Sequence, residues 1–126
     1  MRWLIAVAAL GSLVTGSAFA ADLEHGAKVF KKCSTCHMVG ADAKSRVGPP
    51  LNGLFGRKSG TYEGFAYSDA NKNSGITWDE ATFAKYIKDP KAMVPGTKMA
   101  FAGLTEEADI VDLTAYLKQY KADGSK

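Results

Sequence analysis

The middle of the chain contains a long stretch that cannot be assigned to any regular element. Residues 39–74 lack sustained helical or strand periodicity and are rich in turn-forming residues, namely Gly40, Gly48, Pro49, Pro50, Gly53, Gly56, Gly60 and Gly64. Connections longer than about 15 residues are uncommon in small domains unless they bind something or are disordered. An apolar fraction of 46% and a charged fraction of 23% are ordinary for a folded protein. We therefore expect this stretch to wrap around a bound group that is not protein.

The segment Cys33-Ser34-Thr35-Cys36-His37 indicates what that group is. The pattern C-x-x-C-H is the attachment pattern of a c-type haem. Residues three apart share one face of a helical turn, so each thiol can form a thioether with one of the two haem vinyl groups. His37 follows immediately, and its imidazole can reach the iron. The sequence thus predicts one covalently attached haem c per chain.

Three other interpretations of the two cysteines account for less of the sequence. A thioredoxin-like C-x-x-C motif requires a βαβ context, which is missing. A zinc site built from Cys33, Cys36, His37 and His25 lacks the usual paired ligand spacing. A structural disulfide explains neither His37 nor the glycine-rich stretch.

Three segments have helical periodicity, and together they predict an all-α fold with three main helices and long loops. The first begins after the capping residue Asp22 and runs to about Cys33. The second begins at a capping box, Thr77-x-x-Glu80, and ends before Pro90. The third is capped by Thr105. It carries one stripe of apolar side chains, formed by Ile110, Leu113 and Leu117.

Residues 1–20 have the three-part plan of a secretory signal. Arg2 supplies a positive charge, residues 4–14 are almost wholly apolar, and residues 18–20 read Ala-Phe-Ala, a typical cleavage pattern. The apolar part is short for a transmembrane helix, which needs about 20 residues. We expect cleavage after Ala20, a mature domain of residues 21–126, and a soluble protein in the periplasm. The alternative is an uncleaved membrane anchor.

A haem iron bound by His37 has a sixth coordination position, for which the chain offers four candidate ligands. Met38 adjoins the histidine and faces away from the opposite side of the haem, while His25 sits in the first helix. Met93 and Met99 follow Pro90 in a loop that could reach that side. Met99 belongs to residues 95–99, Pro-Gly-Thr-Lys-Met, a tight turn able to hold a sulfur in place. Local sequence therefore favours Met99, although most methionines merely fill the core.

Further motifs follow one another in order along most of the chain, at residues 33–37, 48–49, 51–58, 67–78, 95–99, 101–103 and 113–117. Together they resemble class I cytochrome c, specifically the mitochondrial cytochrome c and bacterial cytochrome c2 group, over nearly all of residues 22–121. The resemblance implies the cytochrome c fold, in which three main helices and long loops surround one covalently bound haem.

The resemblance also implies a set of haem-site residues. His37 and Met99 would be the axial ligands, and the Pro49 carbonyl would accept a hydrogen bond from the His37 ring. The haem propionates would be neutralised or hydrogen-bonded by Arg57, Tyr67 and Trp78. A polar patch near Met99 would be formed by Asn71, Tyr86 and Thr97. The contact between the first and last helices would be made by Gly26, Phe30, Leu113 and Tyr116.

The function implied by the resemblance is one-electron transfer without catalysis of a substrate reaction. The donor would be a cytochrome bc complex and the acceptor a terminal oxidase or a photosynthetic reaction centre. A monomer would dock through a basic rim that includes Lys32, Lys91 and Lys98. The alternative function is a c-type haem enzyme or sensor with a labile sixth ligand, which would reduce peroxide or bind a gas.

The charge balance limits which partners are possible. The chain has 16 Lys and Arg against 13 Asp and Glu, a formal net charge of +3. Proteins that bind nucleic acid usually carry a much stronger basic stripe, so we expect no such partner. Glu106 and Glu107 also depart from the lysine-rich mitochondrial pattern at this position, which weakens the basic field on that side.

Overall fold

A computed structural model describes residues 21–126 and Gly11. The predicted signal segment, residues 1–20, otherwise lies outside the described residues. The described part contains five helices, α1 (Leu23–Phe30), α2 (Asp69–Lys72), α3 (Glu80–Lys88), α4 (Pro90–Met93) and α5 (Glu107–Lys118). Its only strand-like pairing is an isolated antiparallel bridge between Lys58 and Thr77. The prediction of an all-α fold is confirmed, and the three main helices are α1, α3 and α5.

Helix α1 begins where the sequence predicts. The Asp22 carboxylate accepts a hydrogen bond from the His25 backbone N–H at 3.0 Å, which satisfies one of the free donors at the helix start. Regular helix ends at Phe30 rather than near Cys33. Single turns continue beyond it, because the N–H of Cys33 bonds to the Phe30 carbonyl and that of His37 to the Cys33 carbonyl. The attachment segment is therefore an extension of α1.

The predicted caps of α3 and α5 are both wrong. Helix α3 is capped by Asp79, whose carboxylate accepts from the Thr82 N–H at 2.7 Å, while Thr77 lies in the bridge with Lys58. Helix α5 has Glu106 at its N-cap position, without a side-chain capping bond, so Thr105 does not cap it. The first-turn residue Glu107 instead forms an ion pair of 2.5 Å with Lys88 of α3.

Two short helices lie outside the predicted elements. Helix α2 interrupts the long irregular stretch and is capped by Ser68, whose Oγ accepts from the Asn71 N–H. Helix α4 begins at Pro90, the residue before which α3 is expected to end and does end. Proline suits the first position of a helix, since the N–H that it lacks would have no partner there. Asp89 caps the new helix by accepting from the Ala92 N–H.

Helices α1 and α5 cross in close contact and bring the two ends of the domain together. A side chain at Gly26 would stand 2.8 Å from the Tyr116 Cβ and closer still to the Asp112 carbonyl, so glycine allows this approach. The rings of Phe30 and Tyr116 lie 5.5 Å apart. At the edge of the contact the His25 Nδ1 lies 2.7 Å from the Asp112 carboxylate. The Asp22 N–H also donates to that carboxylate, and these hydrogen bonds lower the Asp112 pKa.

The stripe predicted on α5 is buried, with Ile110, Leu113 and Leu117 each no more than 2% exposed. It packs with Phe83 and Ile87 of α3 into a small core that continues onto the loops. No helix within residues 21–126 is long and apolar enough to cross a membrane.

Candidate functional site

A cavity of about 320 Å³ lies between the helices and the long irregular stretch. Every site residue predicted from the sequence lines it, namely Cys33, Cys36, His37, Pro49, Arg57, Tyr67, Asn71, Trp78, Tyr86, Thr97 and Met99. Leu113 and Leu117 contribute from α5, so the cavity is continuous with the core. The fold thus brings together residues that are spread over almost seventy positions of the sequence.

His37 is held in one orientation by the turn that faces it. Its Nδ1–H donates to the Pro49 carbonyl at 2.7 Å, which leaves the lone pair of Nε2 available to a metal. Burial lowers the His37 pKa, which favours the neutral imidazole that a metal requires. A side chain at Gly48 would come within 2.7 Å of the same Nδ1, so only glycine leaves room for the ring.

The two cysteines lie beside the histidine, and neither forms a disulfide. Burial, assisted by the neighbouring Cys36, raises the pKa of the Cys33 thiol to about 11. This thiol is therefore neutral at ordinary pH. Within the described residues no group of three or more His, Cys, Asp or Glu side chains is arranged to hold a metal ion.

The Met99 sulfur is held by a chain of hydrogen bonds. The Tyr86 hydroxyl donates to it at 3.0 Å, and burial raises the Tyr86 pKa to about 12, so the phenol keeps its proton. The backbone N–H of Met99 donates to Thr97 Oγ1 at 3.2 Å. Thr97 in turn donates to the Asn71 side-chain oxygen at 2.8 Å. Hydrogen bonds to the side chain and from the backbone of Met99 therefore both fix the position of the sulfur.

The other three candidates for a sixth ligand do not line the cavity. His25 is engaged with Asp112 at the contact between α1 and α5. Met93 lies on α4 and packs against the hydrophobic core. Met38 is partly buried but is also absent from the cavity wall. Of the four candidates, Met99 alone shares a cavity with His37.

The three residues expected to meet the propionates have different local partners. The Arg57 guanidinium donates twice to the Pro50 carbonyl, at 3.1 and 3.2 Å. The Tyr67 hydroxyl accepts from the Tyr62 N–H at 3.0 Å, and burial is the main cause of its raised pKa. Trp78 is buried and meets the Tyr86 ring edge-on. Each therefore reaches the cavity wall from a fixed position.

Sequence reasoning missed two residues that support the site. The sequence marks Gly48 only as a turn-forming residue and as part of a motif, yet it makes the space for the His37 ring. Ser68 was not singled out, although its hydroxyl donates to the Asn71 side chain at 2.9 Å. Serine is a favoured N-cap residue, so Ser68 could have indicated the short helix and, through it, this contact.

The three lysines of the expected docking rim are all exposed. Lys32 and Lys98 are exposed and stand on the cavity wall. Lys91 is exposed on α4 and is not part of that wall.

Comparison with known proteins identifies the family. The family model described as Cytochrome c matches residues 23–121. The chain belongs to the cytochrome c family. It is 64% identical to cytochrome c2 of Blastochloris viridis, over 86% of each chain, and 63% identical to cytochrome c2 of Rhodoblastus acidophilus, over 85% of this chain and all of that one. Cytochrome c-550 of Bradyrhizobium diazoefficiens is 62% identical, over 79% of this chain and 73% of its own.

A solved structure supports the same assignment. Cytochrome cH from Methylobacterium extorquens superposes with a TM-score of 0.73 at 44% identity, covering 78% of this chain and 98% of that one. Membership in the cytochrome c family gives the chain a covalently attached haem c and makes it an electron carrier rather than an enzyme. The cavity fits that group, because its wall offers two thiols, a neutral imidazole and a thioether sulfur around a largely apolar interior.

Proposed function

We propose that this cytochrome c carries one electron at a time through a haem iron bound by His37 and Met99. The observation that carries the proposal is that one cavity contains an imidazole oriented by the Pro49 carbonyl and a sulfur held by the Tyr86 hydroxyl. Both side chains are fixed by hydrogen bonds with other residues of the chain. Such preorganisation disfavours release of either ligand when the iron changes its charge.

In this proposal Cys33 and Cys36 form the two thioethers. Arg57, Tyr67 and Trp78 bind the propionates, and Asn71, Tyr86 and Thr97 keep the Met99 sulfur in position. The bound haem supplies the ferric–ferrous couple, and its potential is set by axial ligands, burial and nearby hydrogen bonds. The chain contributes the ligands, a water-poor apolar enclosure and the charges at its rim. With His37 and Met99 both holding the iron, the bound haem would offer no open site to a substrate.

Carbon monoxide binding separates the carrier from the alternative function. Because both axial positions are filled, the ferrous protein should remain six-coordinate and low-spin and should not bind carbon monoxide at neutral pH. A haem enzyme or gas sensor with a labile sixth ligand would bind it readily. Absorbance spectra of the reduced protein before and after addition of the gas measure this, and rapid formation of an adduct would contradict the proposed ligation.

The proposed partners are a cytochrome bc complex as donor and a terminal oxidase or photosynthetic reaction centre as acceptor. We propose that the mature chain, residues 21–126, is a soluble monomer in the periplasm after cleavage following Ala20. The small basic excess and the exposed Lys32 and Lys98 at the cavity support docking at that face. N-terminal sequencing of periplasmic protein tests the cleavage, since retention of Met1 would contradict it.

The Lys98→Glu variant should bind and react with the native acceptor more slowly than the wild type. We expect about a ten-fold fall in the second-order rate at low ionic strength, since charges near the docking site steer encounter. Lys121→Glu is the matched control, because it changes the charge equally at an exposed position away from the cavity wall. The difference should vanish near 1 M salt, where the Debye length is about 3 Å. Stopped-flow kinetics that give equal effects for both variants at low salt would refute docking at this face.

A further inference from the structure

The end of the chain is folded back onto the domain, past the point at which the family match ends. The Lys121 N–H donates to the Ser125 carbonyl and the Gly124 N–H to the Lys121 carbonyl, both at 2.8 Å. The Asp123 carboxylate accepts from the Ser125 N–H at 2.9 Å and from the Ser125 hydroxyl at 2.6 Å. Residues 121–125 are therefore closed by their own hydrogen bonds and are called the C-terminal turn below.

The C-terminal turn meets the long irregular stretch backbone to backbone. Gly124 is the one buried residue of the turn and has a φ of +83°. A side chain there would overlap the Gly40 carbonyl oxygen. A side chain at Gly53 would stand 2.8 Å from the Ala122 Cα, and the Gly53 N–H donates to the Tyr120 carbonyl at 2.9 Å. The end of the chain is thus fastened to this stretch at two points.

These two points are the ends of a loop that carries the hydrogen-bond partner of His37. The buried Asn52 side chain draws the ends together, because its oxygen accepts from the Gly40 N–H at 2.9 Å and its amide donates to the Gly40 carbonyl at 2.8 Å. The segment closed in this way, residues 40–53, is called the 40–53 loop below. Within it the Pro49 carbonyl accepts the 2.7 Å hydrogen bond from the His37 ring.

We propose that the C-terminal turn is a clamp that fixes both ends of the 40–53 loop and thereby positions His37 through the Pro49 carbonyl. No residue of the turn lines the cavity, so Gly124 is a positioning residue that acts through the loop backbone. A hydrogen bond at the second ring nitrogen fixes the orientation of a histidine ligand and strengthens it as a donor to the metal. The inference deepens the proposed function, because it takes His37 as an axial ligand.

A clamp and a general stabiliser of the fold differ in where they restrain local opening. Proteins open in separate units, and irregular segments open at lower free energy than the packed helices. A clamp restrains the 40–53 loop alone, whereas a general stabiliser restrains all parts of the domain. The hydrogen bond from the Met99 N–H to Thr97 Oγ1 is the internal reference, since the C-terminal turn contacts neither residue.

The test is native-state hydrogen exchange, measured by NMR on the reduced haem protein. Gly124→Ala places a methyl group against the Gly40 carbonyl. Gly75→Ala is the matched control, because Gly75 also has a positive φ, +72°, and a methyl group there would meet no atom within 4 Å. Asp123→Ala is a milder second variant, which removes the acceptor of two hydrogen bonds at an exposed position and forces no overlap.

Three protons report on the 40–53 loop and its contact with the attachment segment. They are the His37 Nδ1–H, the Gly48 N–H, which bonds to the Cys36 carbonyl, and the Leu51 N–H, which bonds to the Met38 carbonyl. We expect Gly124→Ala to speed their exchange about ten-fold and Asp123→Ala about three-fold, as opening of this unit becomes easier. The Met99 N–H should exchange at the wild-type rate in both variants, and Gly75→Ala should leave the three reporters unchanged.

The clamp is overturned if the Met99 N–H is accelerated as much as the three reporters, since the turn would then stabilise the whole domain. Wild-type rates at the reporters in Asp123→Ala would overturn it too, and this variant decides the matter if Gly124→Ala does not fold. Failure of the proposed function is recognised separately, in the oxidised wild type. If the iron does not shift the NMR resonances of the His37 ring there, His37 is not a ligand, whatever the exchange rates are.

Discussion

The Met99→Ala protein should lose the weak near-infrared absorption band that a sulfur–ferric iron bond produces, and its reduction potential should fall. Methionine as an axial ligand raises the potential relative to other donors, so its loss should lower it by on the order of 0.1 V, part of the roughly 0.8 V range that axial ligation spans. Tyr86 would lose the acceptor of its 3.0 Å hydrogen bond, and water or an added ligand could reach the iron. The reduced variant should therefore bind carbon monoxide, unlike the wild type.

Met93→Ala is the matched control for this experiment. Met93 lies six residues before Met99, on the short helix α4, and packs against the hydrophobic core rather than the cavity. Its truncation should reduce the free energy of unfolding by about 1–2 kcal/mol, as for a partly buried side chain, and leave the band and the potential unchanged. The proposed ligation is wrong if the band disappears in Met93→Ala and persists in Met99→Ala.

The double variant Cys33→Ala/Cys36→Ala should retain no haem after extraction with acidified acetone. Both thiols line the cavity, and they are the only cysteines in the chain. Without attachment, the protein must hold the group by packing and axial ligation alone. The core formed by α1, α3 and α5 is small, so we also expect a large loss of helical circular dichroism when the haem is removed.

Ser34→Ala tests whether the loss is specific to the thiols. Ser34 lies between the two cysteines and donates a hydrogen bond to the Lys31 carbonyl at 2.8 Å. Its removal should cost only about 1 kcal/mol of stability and leave the haem covalently bound. Release of haem from the wild type by the same extraction would contradict attachment through Cys33 and Cys36. Each single cysteine variant should keep one thioether and shift the absorption bands slightly.

Sequence patterns predicted the parts of the fold that depend on neighbouring residues. Asp22 caps α1 because its carboxylate needs only the N–H three positions later. The α5 stripe is buried because its spacing puts three apolar side chains on one face. The C-x-x-C-H segment could be recognised from the sequence for the same reason, since both thiols and the imidazole lie within five consecutive residues.

Other features depend on competition between residues distant in sequence, and there the patterns failed. Thr77 and Glu80 satisfy the capping-box pattern, but Thr77 is drawn into the bridge with Lys58, and Asp79 caps α3 instead. Gly48 is needed because the His37 ring, eleven positions earlier, packs against its backbone. No pattern among neighbouring residues in the sequence indicates such a contact. Among the four sixth-ligand candidates, the tight turn favoured Met99, whereas the Tyr86 hydrogen bond to its sulfur could be seen only in three dimensions.

The crossing of α1 and α5 has a consequence for the order of events in biogenesis. Its hydrogen bond from Asp22 to Asp112 joins residues 90 positions apart. Contacts of such long range form slowly, because the intervening chain must first be closed into a loop. A chain synthesised from its N-terminus therefore cannot complete this helix pair until its last helix has been made. During that interval the two thiols are not yet enclosed by the folded domain, so haem attachment can precede completion of the fold.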